Sequence, residues 1–240
     1  MLGSVMGSKR LPTRRLARGL SIVELLVGMA IGLFILAGSS ALFVANIASS
    51  RRLALETRIN QDLRATMDLI VRDLRRGAYW GNALAATRAE AVQANPYATV
   101  SLTPPTDPNQ ILYSYTRDTT ESSSLDSNEV FGFRLAGGAI QMCMGGSSAS
   151  ACSNWQTLSN TDILTISTLH ITPTETTLDL RSACPTNCTD TVLAPSCPRL
   201  QVRSYAIVLT GTSTTDAALS RTLRSQVRLR NDALLGSCPA

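Results

Sequence analysis

Six cysteines, one histidine, a scatter of acids and one isolated glutamate are the residues of this 240-residue chain that could do chemistry. The cysteines are Cys143, Cys152, Cys184, Cys188, Cys197 and Cys238. An even count in an exported domain points to disulfides, and six cysteines allow fifteen pairings. The expected bond is Cys143–Cys152, which closes a Gly/Ser-rich loop. Cys238 then ties the C-terminus to one of Cys184, Cys188 or Cys197. Zinc is the rival reading, because Cys184-x3-Cys188 resembles a ligand pair, but the other spacings fit no zinc pattern. His170 is the only histidine, so a histidine-dependent triad or a multi-histidine metal site is not expected, and His170 reads as a strand end. Asp162, Glu175, Asp179 and Asp190 lack EF-hand or repeat spacing and read as solvated acids rather than a carboxylate pair or a calcium site. No G-x-S-x-G, P-loop, H-E-x-x-H or G-x-G-x-x-G occurs. The expectation is a protein that is not an enzyme and carries no cofactor and no metal.

Glu24 is different, because its setting makes it costly. It heads the 26 uncharged, proline-free residues from Leu25 to Ser50. At 1.5 Å per residue that run makes a helix of about 39 Å, enough to cross roughly 30 Å of hydrocarbon. An ionised carboxylate in hydrocarbon costs at least ~2.5 kcal/mol, so a membrane-embedded acid needs a partner. Lys9, Arg10, Arg14, Arg15 and Arg18 precede Glu24, and no acid does. A positive flank stays cytoplasmic, so the remainder is expected on the far side of the membrane. An ordinary secretory signal has a shorter apolar core and a small-residue cleavage site after it. Here the small residue, Gly19, lies before the run.

The residues Arg18-Gly19-Leu20-Ser21-Ile22-Val23-Glu24-Leu25-Leu26-Val27 resemble a type IV prepilin (class III) signal. The resemblance implies cleavage by a prepilin peptidase between Gly19 and Leu20 and N-methylation of Leu20. It further implies that Glu24 pairs with a neighbouring subunit's N-terminus and sets the axial register during assembly. Leu20 stands where major pilins usually have Phe, a position that varies in minor pilins and pseudopilins. The segment Asp73–Gly81 and the closing Val227–Asn231 are similar to the PilW family of minor pilins.

Charge supports the same organisation. The chain has 22 Lys+Arg against 17 Asp+Glu, and the five cations before Gly19 are the whole excess. Without that leader the protein is formally neutral, and no basic patch interleaved with aromatics marks a nucleic-acid partner. The domains expected are a leader over 1–19, a transmembrane assembly helix over 20–48, an amphipathic continuation over 49–77 and a β-rich head over 78–240. Gly28-x3-Gly32 is a small-xxx-small spacing that lets helices pack closely, although glycine is also simply common in membrane helices. In the continuation, Leu55, Ile59, Leu63, Met67, Ile70 and Leu74 are spaced 4, 4, 4, 3 and 4. That single stripe must be covered, by a β-sheet or, as the runner-up, by a coiled coil. Gly77 reads as the helix terminus, and Tyr79 and Trp80 as core anchors.

Residues 82–110 read as an irregular connection. Strands are expected over Gln110–Tyr115, Glu129–Leu135, Ala139–Met142, Asp162–Ile171, Leu200–Thr210 and Thr222–Arg230. Leu200–Thr210 is apolar on both faces and reads as covered on both sides. Thr222–Arg230 alternates, with Arg224, Gln226, Arg228 and Arg230 toward solvent. The fold class expected is α+β and type IV pilin-like: a long N-terminal helix on an antiparallel sheet.

The resemblance implies a minor pilin that primes assembly in a tip complex. Its implied partners are other minor pilins, an adhesin-like tip protein, the major pilin and the prepilin peptidase. The implied location is the inner membrane and then the pilus, with roles in cell adhesion and twitching motility. A minor pseudopilin of a type II secretion system, similar to the GspJ group, is the alternative. A membrane-anchored periplasmic enzyme is a third.

Overall fold

The computed structural model describes residues 19, 21–83, 94–102, 108–118, 124–184, 186, 188–189 and 197–238. The leader 1–18, Leu20 and Asp190 therefore lie outside the described residues. The chain divides into two compact units, residues 1–52 and 53–240. Helix α1, Ile22–Leu74, begins in the first and ends in the second.

The first unit holds the apolar part of α1. Ser21 opens the helix: its carbonyl accepts from the Leu25 N–H at 3.1 Å, and its Oγ lies 3.3 Å from the Val23 N. Ser21-x-x-Glu24 is thus the Ser-x-x-Glu pattern of a helix N-terminus, with the acid in the first turn. Among the described residues of the unit none covers the helix, and all of them are exposed.

The second unit is α+β, as expected. Its strands are β1 (Val100–Leu102), β2 (Gln110–Ser114), β3 (Val130–Ala136), β4 (Ala139–Cys143), β5 (Gly146–Ser148), β6 (Ala151–Cys152), β7 (Trp155–Thr157), β8 (Leu164–Asp179), β9 (Arg199–Ser213), β10 (Ser220–Arg228) and β11 (Ala233–Leu235). One antiparallel sheet runs β1-β2-β3-β4-β7. In the other, β9 pairs with β8 along one edge and with β10 and then β11 along the opposite edge. A short β5-β6 ribbon stands apart.

The stripe of α1 fixes how these layers meet. Ile59, Leu63, Met67, Ile70 and Leu74 are buried in one core with Ile111, Phe133, Leu164, Ile207 and Leu229. Each such side chain contributes about 1.5–3 kcal/mol by leaving water. Sheets, not a coiled coil, cover the stripe.

Several expectations need correction. β8 does not stop at Ile171 but runs to Asp179, so His170 sits inside a strand, exposed, rather than at its end. A register shift between Ile166 and Thr168 lets the strand meet its surroundings twice. Ile166 N donates to the Gly138 carbonyl before the shift, and Ile171 N to the Pro108 carbonyl after it. The outer face of β9 is not covered: Ala206 is exposed and Val202 and Val208 are half-buried, whereas Tyr205, Ile207 and Leu209 fill the core. Thr174, Gln226 and Arg228 on the neighbouring strands make that outer face polar enough to meet water. Residues 82–110 contain β1, a strand too short to register in the sequence.

The helix terminus also differs. The left-handed residue is Ala78, at φ 63°, and not Gly77. Ala78 N donates to the Ser114 carbonyl at 2.8 Å, and Thr116 N to the Tyr79 carbonyl at 3.0 Å, so β2 and its extension hold the turn. Gly77 sits where space is tight: a Cβ there would stand 3.1 Å from the Leu74 carbonyl oxygen, with Leu229 Cδ2 in ordinary contact at 3.5 Å. Trp80 is buried as expected, but Tyr79 is 48% exposed.

Candidate functional site

Two features could carry function, one in each unit. The first is the surface of α1 from Ile22 onward. An 18-residue window there reaches a mean hydropathy of 2.2 with none of it buried, so this helix is long and apolar enough to cross a membrane. Ile22, Val23, Leu26, Phe34, Leu36, Leu42 and Phe43 are all 60% or more exposed. Soluble monomers rarely expose an apolar patch of that extent. Two hydroxyls within it are satisfied by the helix itself: Ser39 Oγ donates to the Ile35 carbonyl and Ser40 Oγ to that of Leu36, each at 2.8 Å. Hydroxyls bonded this way are compatible with hydrocarbon.

The residues singled out in the sequence lie along this surface. Glu24 is exposed in the first turn, at the end from which the apolar run departs. Gly28 and Gly32 are exposed, and a Cβ at either would meet nothing within 4 Å. Both positions are therefore open to a close approach by another helix. Gly19 is exposed, and Leu20, the residue expected to be methylated, is outside the described residues.

The second feature is the junction at the end of α1. Asp73, on the buried stripe, accepts from Tyr113 Oη at 2.5 Å and from Tyr115 Oη at 3.1 Å. The Arg76 guanidinium lies 3.6 Å from the same carboxylate and 4.3 Å above the Tyr115 ring. Burial first, and then the Asp73 charge, pushes the Tyr115 phenol up to about 12 and the Tyr113 phenol well above its ordinary value. Asp73 has no apolar signal of its own, but it follows Ile70 by three positions and so lies on the buried face of the helix. An acid on that face needs a donor from the facing sheet.

Among the described residues, the acids weighed as a metal site do not converge. Asp162, Glu175 and Asp179 are exposed; Glu175 accepts from Gln201 at 2.7 Å, and Asp179 binds Arg181. Hydrogen bonds from Arg181 hold the Asp179 carboxyl below its ordinary range. Asp118, Asp126 and Glu129 do approach one another, within 4.8 Å. Glu129, however, is fully buried and already accepts from Tyr97 Oη, Arg117 N and Asp126 N, each at 2.9 Å. Those bonds make it a tie between loops.

The cysteines form three bonds: Cys143–Cys152, Cys184–Cys238 and Cys188–Cys197. No thiolate remains for zinc. A buried arginine was not foreseen. Arg203 donates to the Ala98 carbonyl at 2.6 Å and to the Asn231 carbonyl at 3.2 Å, tying β9 to the residues before β1 and to the C-terminal turn.

A family model described as prepilin peptidase-dependent protein B (PpdB) matches residues 52–229. That match starts just beyond the apolar surface and takes in nearly all of the head. No similar curated protein and no similar solved structure is found. With about three-quarters of its length matched, from the amphipathic turns of α1 through β10, the chain belongs to the prepilin peptidase-dependent protein B family.

Proposed function

We propose that this protein is a minor pilin of the type IV pilus system, structural rather than catalytic, and akin to the PilW family. The observation that carries the reading is the uncovered apolar surface of α1 with a single acid, Glu24, in its first turn. Such a helix is stable in a bilayer, and equally stable among similar helices, because either surrounding hides the same side chains. Membership of a family described as prepilin peptidase-dependent supports cleavage at Gly19–Leu20, which would create an amine one turn from Glu24. The carboxylate and that amine, or a neighbour's, then satisfy each other in a setting where neither can stand alone. The leader cations keep the N-terminus cytoplasmic, and the head folds in the periplasm, where its three disulfides form. Other minor pilins, an adhesin-like tip protein and the major pilin are its partners, and the finished location is the pilus.

A gene deletion tests the reading. Loss of surface pili, restored by the wild-type gene, with type II secretion unaffected, is the expected result. Normal piliation together with defective protein secretion would instead assign the chain to a pseudopilin complex.

A further inference from the structure

A recess of about 360 Å³ opens in the head at the end of α1, lined by Arg76, Tyr79, Thr116, Arg230 and Asn231. All five belong to the described residues, and none is an acid. Its walls are fixed to one another through the backbone. Arg230 N donates to the Arg75 carbonyl at 3.1 Å, and Thr116 N to the Tyr79 carbonyl at 3.0 Å. Asn231 Nδ2 donates to the Gly77 carbonyl at 3.2 Å. The turn after α1, the extension of β2 and the segment after β10 therefore hold the lining residues in one arrangement.

Two cations and one acid stand here. Arg76 lies 3.6 Å from Asp73, whose carboxylate also accepts from Tyr113 and Tyr115. Arg230 is exposed, and no acid among the described residues forms an ion pair with it. Asp73 thus offsets one guanidinium, and one positive charge is left at the recess. Like charges lining one recess favour an anion between them. The guanidinium fork matches the two oxygens of a carboxylate. Tyr79 is half-exposed although its backbone is held on both sides, by Arg76 and by Thr116. Tyrosine and arginine presented on a fixed frame are the residue types that dominate contacts between proteins.

We propose that this recess receives a carboxylate of a partner protein, an aspartate or glutamate side chain or a C-terminus, with Tyr79 packed against the partner chain. One carboxylate matches the single remaining positive charge, and a phosphate dianion exceeds it. The recess lies wholly in the head, so the proposal does not depend on Glu24 or on cleavage after Gly19.

The test is a cross-link of zero length. Lys9 is the only natural lysine of the chain. Arg230→Lys keeps the charge at an exposed position and places an amine in the recess. A water-soluble carbodiimide joins an amine to a carboxylate only where the two touch, forming an amide with loss of water. The full-length variant is produced in its own cells, treated with the carbodiimide in whole cells and in membranes, and the linked peptides are sequenced by mass spectrometry. The expected result is a link from position 230 to one defined carboxylate of another molecule. Arg76→Lys, made separately, should link to the same residue. Arg224→Lys, about 20 Å away by the rise of a strand, should not. Replacing the identified acid by its amide should abolish both links. The proposal is overturned if neither Arg230→Lys nor Arg76→Lys gives a link, as a free anion or a lipid phosphate in the recess would require. It is equally overturned if the links return only to acids of the same molecule, or if Arg224→Lys gives the identified link in equal yield.

Discussion

Tyr113 Oη donates to Asp73 Oδ2 across 2.5 Å, joining the last turn of α1 to β2 over 40 positions of sequence. Tyr115 reaches the other oxygen of the same carboxylate. Asp73→Ala leaves both buried hydroxyls without an acceptor, at about 1–3 kcal/mol each. The expected loss of stability is ~2–4 kcal/mol, with Asp73→Asn costing about half as much because its amide oxygen still accepts from one tyrosine. Urea unfolding followed by tryptophan fluorescence measures both.

The same tyrosines set the alkaline limit of the fold. Burial, with the Asp73 charge, pushes Tyr115 up to about 12, and burial pushes Tyr205 up to about 12 as well. A phenol whose folded value is raised above its unfolded value of about 10 favours the fold while protonated. That stability is fully present below pH about 10 and is lost as pH rises toward 12, because the unfolded chain gives up its protons first. Thermal unfolding should therefore show a falling midpoint across that window. Tyr115→Phe, which cannot ionise, should reduce the slope.

The three disulfides should rank by the loop that each closes. Cys184–Cys238 spans 54 positions, and Cys143–Cys152 and Cys188–Cys197 span 9 each. Loop-closure entropy gives about 4 kcal/mol for the first and about 2.5 kcal/mol for the others. Paired Cys→Ser variants, compared by urea unfolding without reductant, should show that order.

Much of this architecture was legible in the sequence because its signals are periodic. The stripe from Leu55 to Leu74 could be counted, and it is the face that the sheets bury. The alternation in Thr222–Arg230 likewise placed Val227 and Leu229 inside and the arginines outside. What escaped has no periodic signal. Ala78 takes a left-handed backbone only because Ser114 and Thr116 hold the turn from another strand. The covering of β9 could not be read from β9 itself, since the threonines and arginines beside it decide whether Ala206 meets water. Of the site, Glu24 announced itself by standing alone before an uncharged run. Asp73 was hidden among the other charged residues of the same helix, and only the facing tyrosines distinguish it.

Processing should be visible in mass. The protein extracted from the membrane fraction should begin at Leu20 and carry one methyl group, and Gly19→Ala should leave the leader attached. An intact Met1 chain in cells with a working prepilin peptidase would refute the cleavage.

The assembly role of Glu24 is tested by Glu24→Val, which makes the apolar run more hydrophobic and removes only the charge that is proposed to set register. Sheared pili and membranes from the same cells are compared by quantitative immunoblot, with N-terminal mass confirming cleavage. The variant should be cleaved normally, accumulate in the membrane and be lost from the pilus fraction. Incorporation at the wild-type level would contradict the account.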